Sequence, residues 1–229
     1  YWSDGEHGIA LGHRRLAIID LSPAGQQPMR SCSNRFVLVF NGEIYNHLDI
    51  RRELEASAGV YGWRGRSDTE TLLAGFDAWG IVATVERAIG MFAFAVWDRQ
   101  AGVLTLGRDR VGEKPLYYGW QGRGDDAMFL FGSELKALRA HPACAADIDR
   151  AALCLQLRHS YVPAPHSIYR GIAKLPPGCL LTVSAGRPEP VLHTYWSVAQ
   201  QWTAGVATPF AGTPAQAVDA LDTLLSDAV

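Results

Sequence analysis

Four short apolar runs in close succession limit the fold more than any other feature of this chain. MFAFAVWD (91–98), VLTLGRD (103–109), PLYYGW (115–120) and MFLFGSE (128–134) are separated only by turn residues. Such spacing is the signature of an antiparallel meander. Helical patterns flank it in blocks. Upstream, Asn46 can cap a helix with Asp49 three residues on and Leu48, Ile50 and Leu54 at its apolar positions. A second helix opens at SDTE (67–70), where Ser67 and Glu70 fit a capping box and Leu72, Leu73, Phe76 and Trp79 supply one apolar face. Downstream, ELKALRAH and DRAALCLQLRH read as two shorter helices, and KLPPGCLLTVS and PVLHTYW as a last pair of strands. IALGHRRLAIIDL (9–21) has strand-like β-branched content and runs into the turn SPAGQQP. FVLVF (36–40) has the continuous apolar pattern of a strand covered on both faces. Blocks in place of strict alternation favour an α+β layered domain over a doubly wound one.

Residues 200–212 carry little apolar periodicity and read as a linker. Thr213 then caps a helix with Pro214 at its first position, and Val218, Leu221, Leu224 and Leu225 follow at helical spacing. The expected organisation is a domain over 1–199, a linker over 200–212 and the first helix of a further, incomplete domain over 213–229. A hydrophobic share of 48% over 229 residues is ample for one core. The net charge is −2 with both signs interspersed, so no basic stripe points to nucleic acid. The longest apolar stretches fall far short of the ~20 residues a membrane helix needs. Cys32, Cys144, Cys154 and Cys179 form no CxxC pair, which argues against a disulfide framework or structural zinc and for a reducing cytoplasm. The histidines show no ligand spacing, and no metal site is expected.

The chemistry resides in polar residues placed where strands end or helices begin. Asn41-Gly42 in FNGEIYN is the strongest short hairpin signal, yet EIYN leaves little strand to pair back before a helix starts. Arg15 reads either as a surface charge or as a planar fork for a carboxylate. Asp68 reads either as a helix-start residue or, with Glu43, as a partner for an ammonium group. An Asn side-chain amide beside an unhindered glycine N–H has the two parts of an oxyanion hole. Taken together, these groups fit an α-amino acid whose side chain carries a reactive carbonyl. Arg108, Asp109, Arg110 and Lys114 in RDRVGEKPLYY read either as a phosphate or catalytic cluster or, as favoured, as a solvated, charged hairpin that holds loops by ion pairs.

The ordered motifs GHRRLAIIDLSPAGQQPM, FNGEIYN, SDTETLL, GMFAFAVWD, RDRVGEKPLYY, GSELKAL and YVPAP…KLPPG resemble the glutaminase domain of glutamine-dependent asparagine synthetases, from Tyr1 to about Trp196. The resemblance implies a four-layer αββα sandwich of the N-terminal nucleophile hydrolase type, truncated at its N-terminus. It implies glutamine as ligand, with its α-carboxylate on Arg15 and the strand near Leu16 and Ile18 lining the pocket. Asn41 and Gly42 would stabilise the oxyanion, and Glu43 and Asp68 would take the α-ammonium. In that family a Cys at the mature N-terminus attacks the glutamine amide, with its own α-amine as base. Ammonia passes to a second domain, where ATP and Mg2+ activate aspartate.

This chain begins at Tyr1, and none of its cysteines lies near the start. The resemblance therefore implies a preceding segment of about 50 residues, which supplies the strand and helix that finish such a domain. Residues 1–229 are expected to be inactive alone and to hold no cofactor, with ATP and Mg2+ belonging to the absent synthetase domain. A homodimer is one assembly the resemblance allows. Two further readings stay open: an amidotransferase for another carboxylate, such as a peptide or a cell-surface precursor, and a non-catalytic glutamine-binding module.

Overall fold

The computed structural model describes residues 1–16, 19–58, 62–184 and 187–228. The chain opens with a hairpin of β1 (Trp2–Asp4) and β2 (Ile9–Leu11). The strand expected over 9–21 stops at Leu11, because β1 is three residues long and no other described strand lies beside β2. A strand without a neighbour leaves its backbone groups unpaired. Next come β3 (Met29–Arg30), β4 (Phe36–Ile44), and helices α1 (His47–Ala58), α2 (Asp68–Trp79) and α3 (Ile81–Arg87). Then β5 (Gly90–Asp98), β6 (Val103–Arg108), β7 (Tyr117–Gln121) and β8 (Met128–Gly132) precede α4 (Leu135–Arg139) and α5 (Arg150–His159). Finally β9 (Ala173–Lys174), β10 (Cys179–Ser184) and β11 (Arg187–Thr194) complete a compact unit over Tyr1–Trp196.

The expected meander divides between two sheets. Strands β11-β10-β6-β5-β4-β3 form a six-stranded antiparallel sheet, and β8-β7-β9 a three-stranded one. Alternation along β4 decides what each face buries. Phe36, Leu38 and Phe40 pack with Ile50, Leu54, Leu72 and Phe76 beneath α1 and α2. Val37 and Val39 face the other way, with Ala93, Ala95 and Leu106, against Tyr118, Phe129 and Phe131 of the smaller sheet. The opposite face of β8 meets α4, where Leu138 packs onto Gly132. Helix, sheet, sheet and helix therefore stack as the expected four-layer α+β sandwich.

The break in the meander has a chemical cause at Asp109. This residue is fully buried, and its Oδ1 accepts the Val111, Gly112 and Glu113 N–H groups at 3.2, 2.6 and 2.9 Å. Its Oδ2 accepts the N–H groups of Phe92 and Lys114 at 3.2 and 3.0 Å. Arg108 donates to the carbonyls of Lys114, Leu175 and Gly112 at 2.7, 2.7 and 2.6 Å. Arg108 and Asp109 are thus buried and bonded to the backbone, while Arg110 and Lys114 are half-buried, in place of the solvated, ion-paired hairpin that was expected. The cluster turns the chain out of β6 and into the second sheet. Asp109→Ala strips five N–H groups of a charged acceptor and is expected to cost roughly 3 kcal/mol or more in urea unfolding, with an unchanged slope. A loss below about 1 kcal/mol, the net worth of a single ordinary hydrogen bond, would contradict that account.

The capping box at SDTE is half formed. Ser67 Oγ accepts the Thr69 N–H at 3.1 Å. Glu70 turns instead to the Arg64 and Gly65 N–H groups at 2.8 and 3.0 Å and to Arg51 at 3.6 Å, a richer set of donors than the one N–H of a cap. In the second unit, Ser197–Val229, a helix α6 (Val198–Ala207) occupies much of the stretch read as a linker. Ser197 Oγ caps it through the Gln200 N–H at 3.2 Å, and no proline interrupts it before Pro209. Helix α7 (Pro214–Ala228) follows, with Thr213 Oγ1 accepting the Gln216 N–H at 3.4 Å.

Candidate active site

Asn41-Gly42 is not a turn. Both residues lie inside β4, paired with Ala93 and Phe92 of β5. A Cβ on Gly42 would sit 2.1 Å from the Met91 carbonyl oxygen and 2.6 Å from Phe92 Cα, so the two backbones approach this closely only at glycine. Asn41 and Glu43 continue the Val37–Val39 face of the strand, where apolar filling between the sheets gives way to a cavity of about 730 Å3. That size suits a small-molecule site.

The edge of β4 explains which backbone donor is left open. Phe92 uses its carbonyl for the Asp109 N–H at 2.8 Å and its N–H for Asp109 Oδ2. Both groups point away from β4, so Gly42 opposite directs its own N–H out of the far edge. Beyond β3 no described strand lies beside that edge. Phe40 N–H is taken there by Gln27 Oε1 at 2.6 Å, and Ile44 N–H by Asp68 Oδ2 at 2.9 Å. Gly42 N–H lies between them on the cavity wall, with no partner among the described residues.

Arg15, Leu16, Asn41, Gly42, Glu43 and Asp68 all line this cavity. Ile18 lies outside the described residues. Arg15 donates to the Ser22 carbonyl at 3.1 Å, and its guanidinium lies where a Cβ on Gly25 would come within 2.2 Å of Nη2. Asp68 is 5% exposed at the first turn of α2, and its Oδ1 accepts the Thr69 N–H at 2.8 Å. The loop ahead of it is clasped by Arg51 of α1, which donates to Thr71 Oγ1 and to the Gly65 and Ser67 carbonyls at 2.8, 3.1 and 2.9 Å. Asn41 Nδ2 donates to Ser133 Oγ at 3.0 Å.

Three cavity residues escape sequence reasoning. Gln27 reads as part of a turn, yet it takes both backbone groups of Phe40, with Nε2 donating to the carbonyl at 3.2 Å. Ser133 sits between a strand and a helix, the placement that drew attention to the other polar residues. Asp20 ends an apolar run; its Oδ1 accepts the Ser22 N–H at 2.8 Å and its Oδ2 the Arg66 N–H at 2.9 Å. It thereby ties the segment that braces Arg15 to the loop ahead of Asp68. Hydrogen bonds from the Ser22 hydroxyl and from the Arg66 and Ser22 N–H groups pull its pKa from 3.8 down to about 2. A depressed carboxylate stabilises the fold above its unfolded pKa and loses that contribution as pH falls through its folded value. Asp20→Asn is therefore expected to be less stable than wild type at neutral pH, with the gap closing between about pH 4 and pH 2 in acid-unfolding curves. A gap that persists below pH 2 would contradict this.

His13 also lines the cavity, and burial pushes its pKa down, which favours the neutral imidazole. Cys32 and Cys154 are exposed, Cys144 is half-buried and Cys179 is buried; none of the four lines the cavity. Among the described residues no helix is long and apolar enough to cross a membrane.

Comparison with known proteins gives the family and the fold of the chain. Asparagine synthetase [glutamine-hydrolyzing] 3 of Bacillus subtilis (strain 168) is 39% identical over 199 residues, covering 85% of this chain and 30% of that protein. A putative asparagine synthetase [glutamine-hydrolyzing] of Mycobacterium bovis is 38% identical over 194 residues, covering 82% of this chain and 29% of that protein. The chain thus spans 29–30% of the length of these relatives. The solved glutamine phosphoribosylpyrophosphate (PRPP) amidotransferase from B. subtilis, complexed with ADP and GMP, shares the fold with a TM-score of 0.54. It is 20% identical and covers 80% of this chain and 34% of that one. The glutamine amidotransferase domain family matches residues 1–196, the whole of the sandwich and its cavity, and the chain belongs to that family.

Proposed function

We propose that the cavity binds glutamine and presents its side-chain amide for hydrolysis. The observation that carries this reading is the meeting of Arg15, Asn41, Gly42, Glu43 and Asp68, from three separate segments, on one cavity. Arg15 keeps guanidinium N–H groups beyond the one given to Ser22, and these take the α-carboxylate. Glu43 and Asp68 take the α-ammonium. Asn41 keeps its second Nδ2–H, and Gly42 its backbone N–H, for the oxygen that becomes negative when the amide carbon turns tetrahedral.

The nucleophile in this reading is the thiolate of a Cys at the mature N-terminus of the whole polypeptide, since no thiol of residues 1–229 lines the cavity. Sulfur bonds to the amide carbon, nitrogen leaves as ammonia with a proton from the protonated base, and water then cleaves the thioester to glutamate. Ammonia is used in a further domain to amidate aspartate at the expense of ATP, in line with the names of the relatives. No residue of this chain is assigned to ATP or Mg2+, and among the described residues no cluster of three or more His, Cys, Asp or Glu is placed to hold a metal. The cytoplasm is the compartment this metabolism implies.

The complete polypeptide, given glutamine, aspartate, ATP and magnesium, is expected to release glutamate and form asparagine. Glutamate without asparagine would replace aspartate by another carboxylate acceptor. Glutamine binding without glutamate release would leave a binding module.

A further inference from the structure

The Asn41 amide is held from across the cavity. Its Nδ2 donates to Ser133 Oγ at 3.0 Å, a bond between residues 92 apart in sequence that joins the six-stranded sheet to the end of the smaller one. The Ser133 backbone is fixed on both sides. Gly132 before it pairs with Tyr117 and packs on Leu138, while the Glu134 carbonyl after it accepts the Ala137 N–H at 3.0 Å as α4 begins. Ser133 also lines the cavity.

A primary amide has two N–H groups and turns about a broad, nearly two-fold χ2. Left to rotate, Asn41 would present Oδ1 to the cavity for part of the time, and that oxygen repels a developing oxyanion. With one N–H held by Ser133, rotation stops and the second N–H keeps a single direction. Electrostatic stabilisation of a transition state depends on donors that need not reorganise as charge appears.

We propose that Ser133 is a positioning residue for amide hydrolysis: its hydroxyl oxygen orients Asn41 as an oxyanion donor and acts on the reaction only through it. This rests on the glutamine-hydrolysing reading. Ser133 therefore affects kcat and leaves glutamine affinity alone, because the ground-state carbonyl asks less of Asn41 than the oxyanion does.

The test is a double-mutant cycle in the complete polypeptide, reading glutamate release. Ser133→Ala is expected to lower kcat by roughly 5–30-fold, the scale of one lost hydrogen bond, with the glutamine KM within about twofold of wild type. In an Asn41→Ala background the same change is expected to do nothing further. Ser133→Thr against Ser133→Val compares the hydroxyl at near-constant volume, so the result stands even if alanine loosens the fold; threonine is expected to keep kcat and valine to lose it. An equal loss in the Asn41→Ala background would show Ser133 acting on its own, and would overturn the proposal. So would a raised KM at constant kcat, or wild-type kinetics for Ser133→Ala. Should Asn41→Ala itself leave kcat unchanged, the glutaminase reading of the cavity fails, a different result from failure of the Ser133 link.

Discussion

Asn41→Ala in the complete polypeptide is expected to slow glutamine hydrolysis by ~10²–10³-fold, the usual effect of removing one oxyanion-hole donor. Structure gives this change unusual clarity. Asn41 lies in the middle of a paired strand, and alanine leaves the β4–β5 ladder and its backbone bonds in place. The lost group is a side-chain amide whose one side-chain hydrogen bond among the described residues is to Ser133 Oγ. Melting temperature is therefore expected to stay close to wild type while kcat for glutamate release falls. Ammonia-driven synthesis, which bypasses the cavity, is expected to continue. A fall in both activities would place Asn41 in the fold and not in the chemistry.

Arg15→Ala is the second large effect and appears in a different constant. A charge-assisted contact to a partly desolvated carboxylate is worth roughly 2–4 kcal/mol, so glutamine affinity is expected to drop by about 30- to 1000-fold. The catalytic step itself does not involve the α-carboxylate, and kcat at saturating glutamine is expected to change far less. Arg15→Lys restores only part of the loss, because an ammonium lacks the planar fork. Arg15 also braces the Ser22 carbonyl, so the comparison is made on protein whose unfolding curve matches wild type. Equal glutamine affinity in wild type and Arg15→Ala would remove the carboxylate clamp from the account.

What could be read from the residues and what could not divide along physical lines. Strong periodicity made α2, β4, β5 and β6 legible, since Leu72, Leu73 and Phe76 or Phe36 and Leu38 must be buried wherever they fall. The layered α+β class followed from their order. Partner choice was not legible: β6 pairs with β10 instead of β7, and the cause is a single buried carboxylate, Asp109, whose five backbone bonds depend on geometry that no period encodes. The expected strand ends at Leu11, where no other described strand lies beside β2, and composition alone does not report a missing partner. At the site, the Arg, Asn-Gly and acidic residues stood out by their chemical type. Gln27, Asp20 and Ser133 did not, because each works by bonding to a backbone or side chain remote in sequence.

The structure of the complete polypeptide with glutamine bound tests the central claim most directly. The α-carboxylate is expected on the Arg15 guanidinium and the α-ammonium between Glu43 and Asp68. The side-chain carbonyl oxygen is expected at roughly 2.7–3.1 Å from both Asn41 Nδ2 and Gly42 N. Glutamine seated with its side-chain amide away from the open N–H of Gly42, or with Arg15 turned out of contact, would contradict the account.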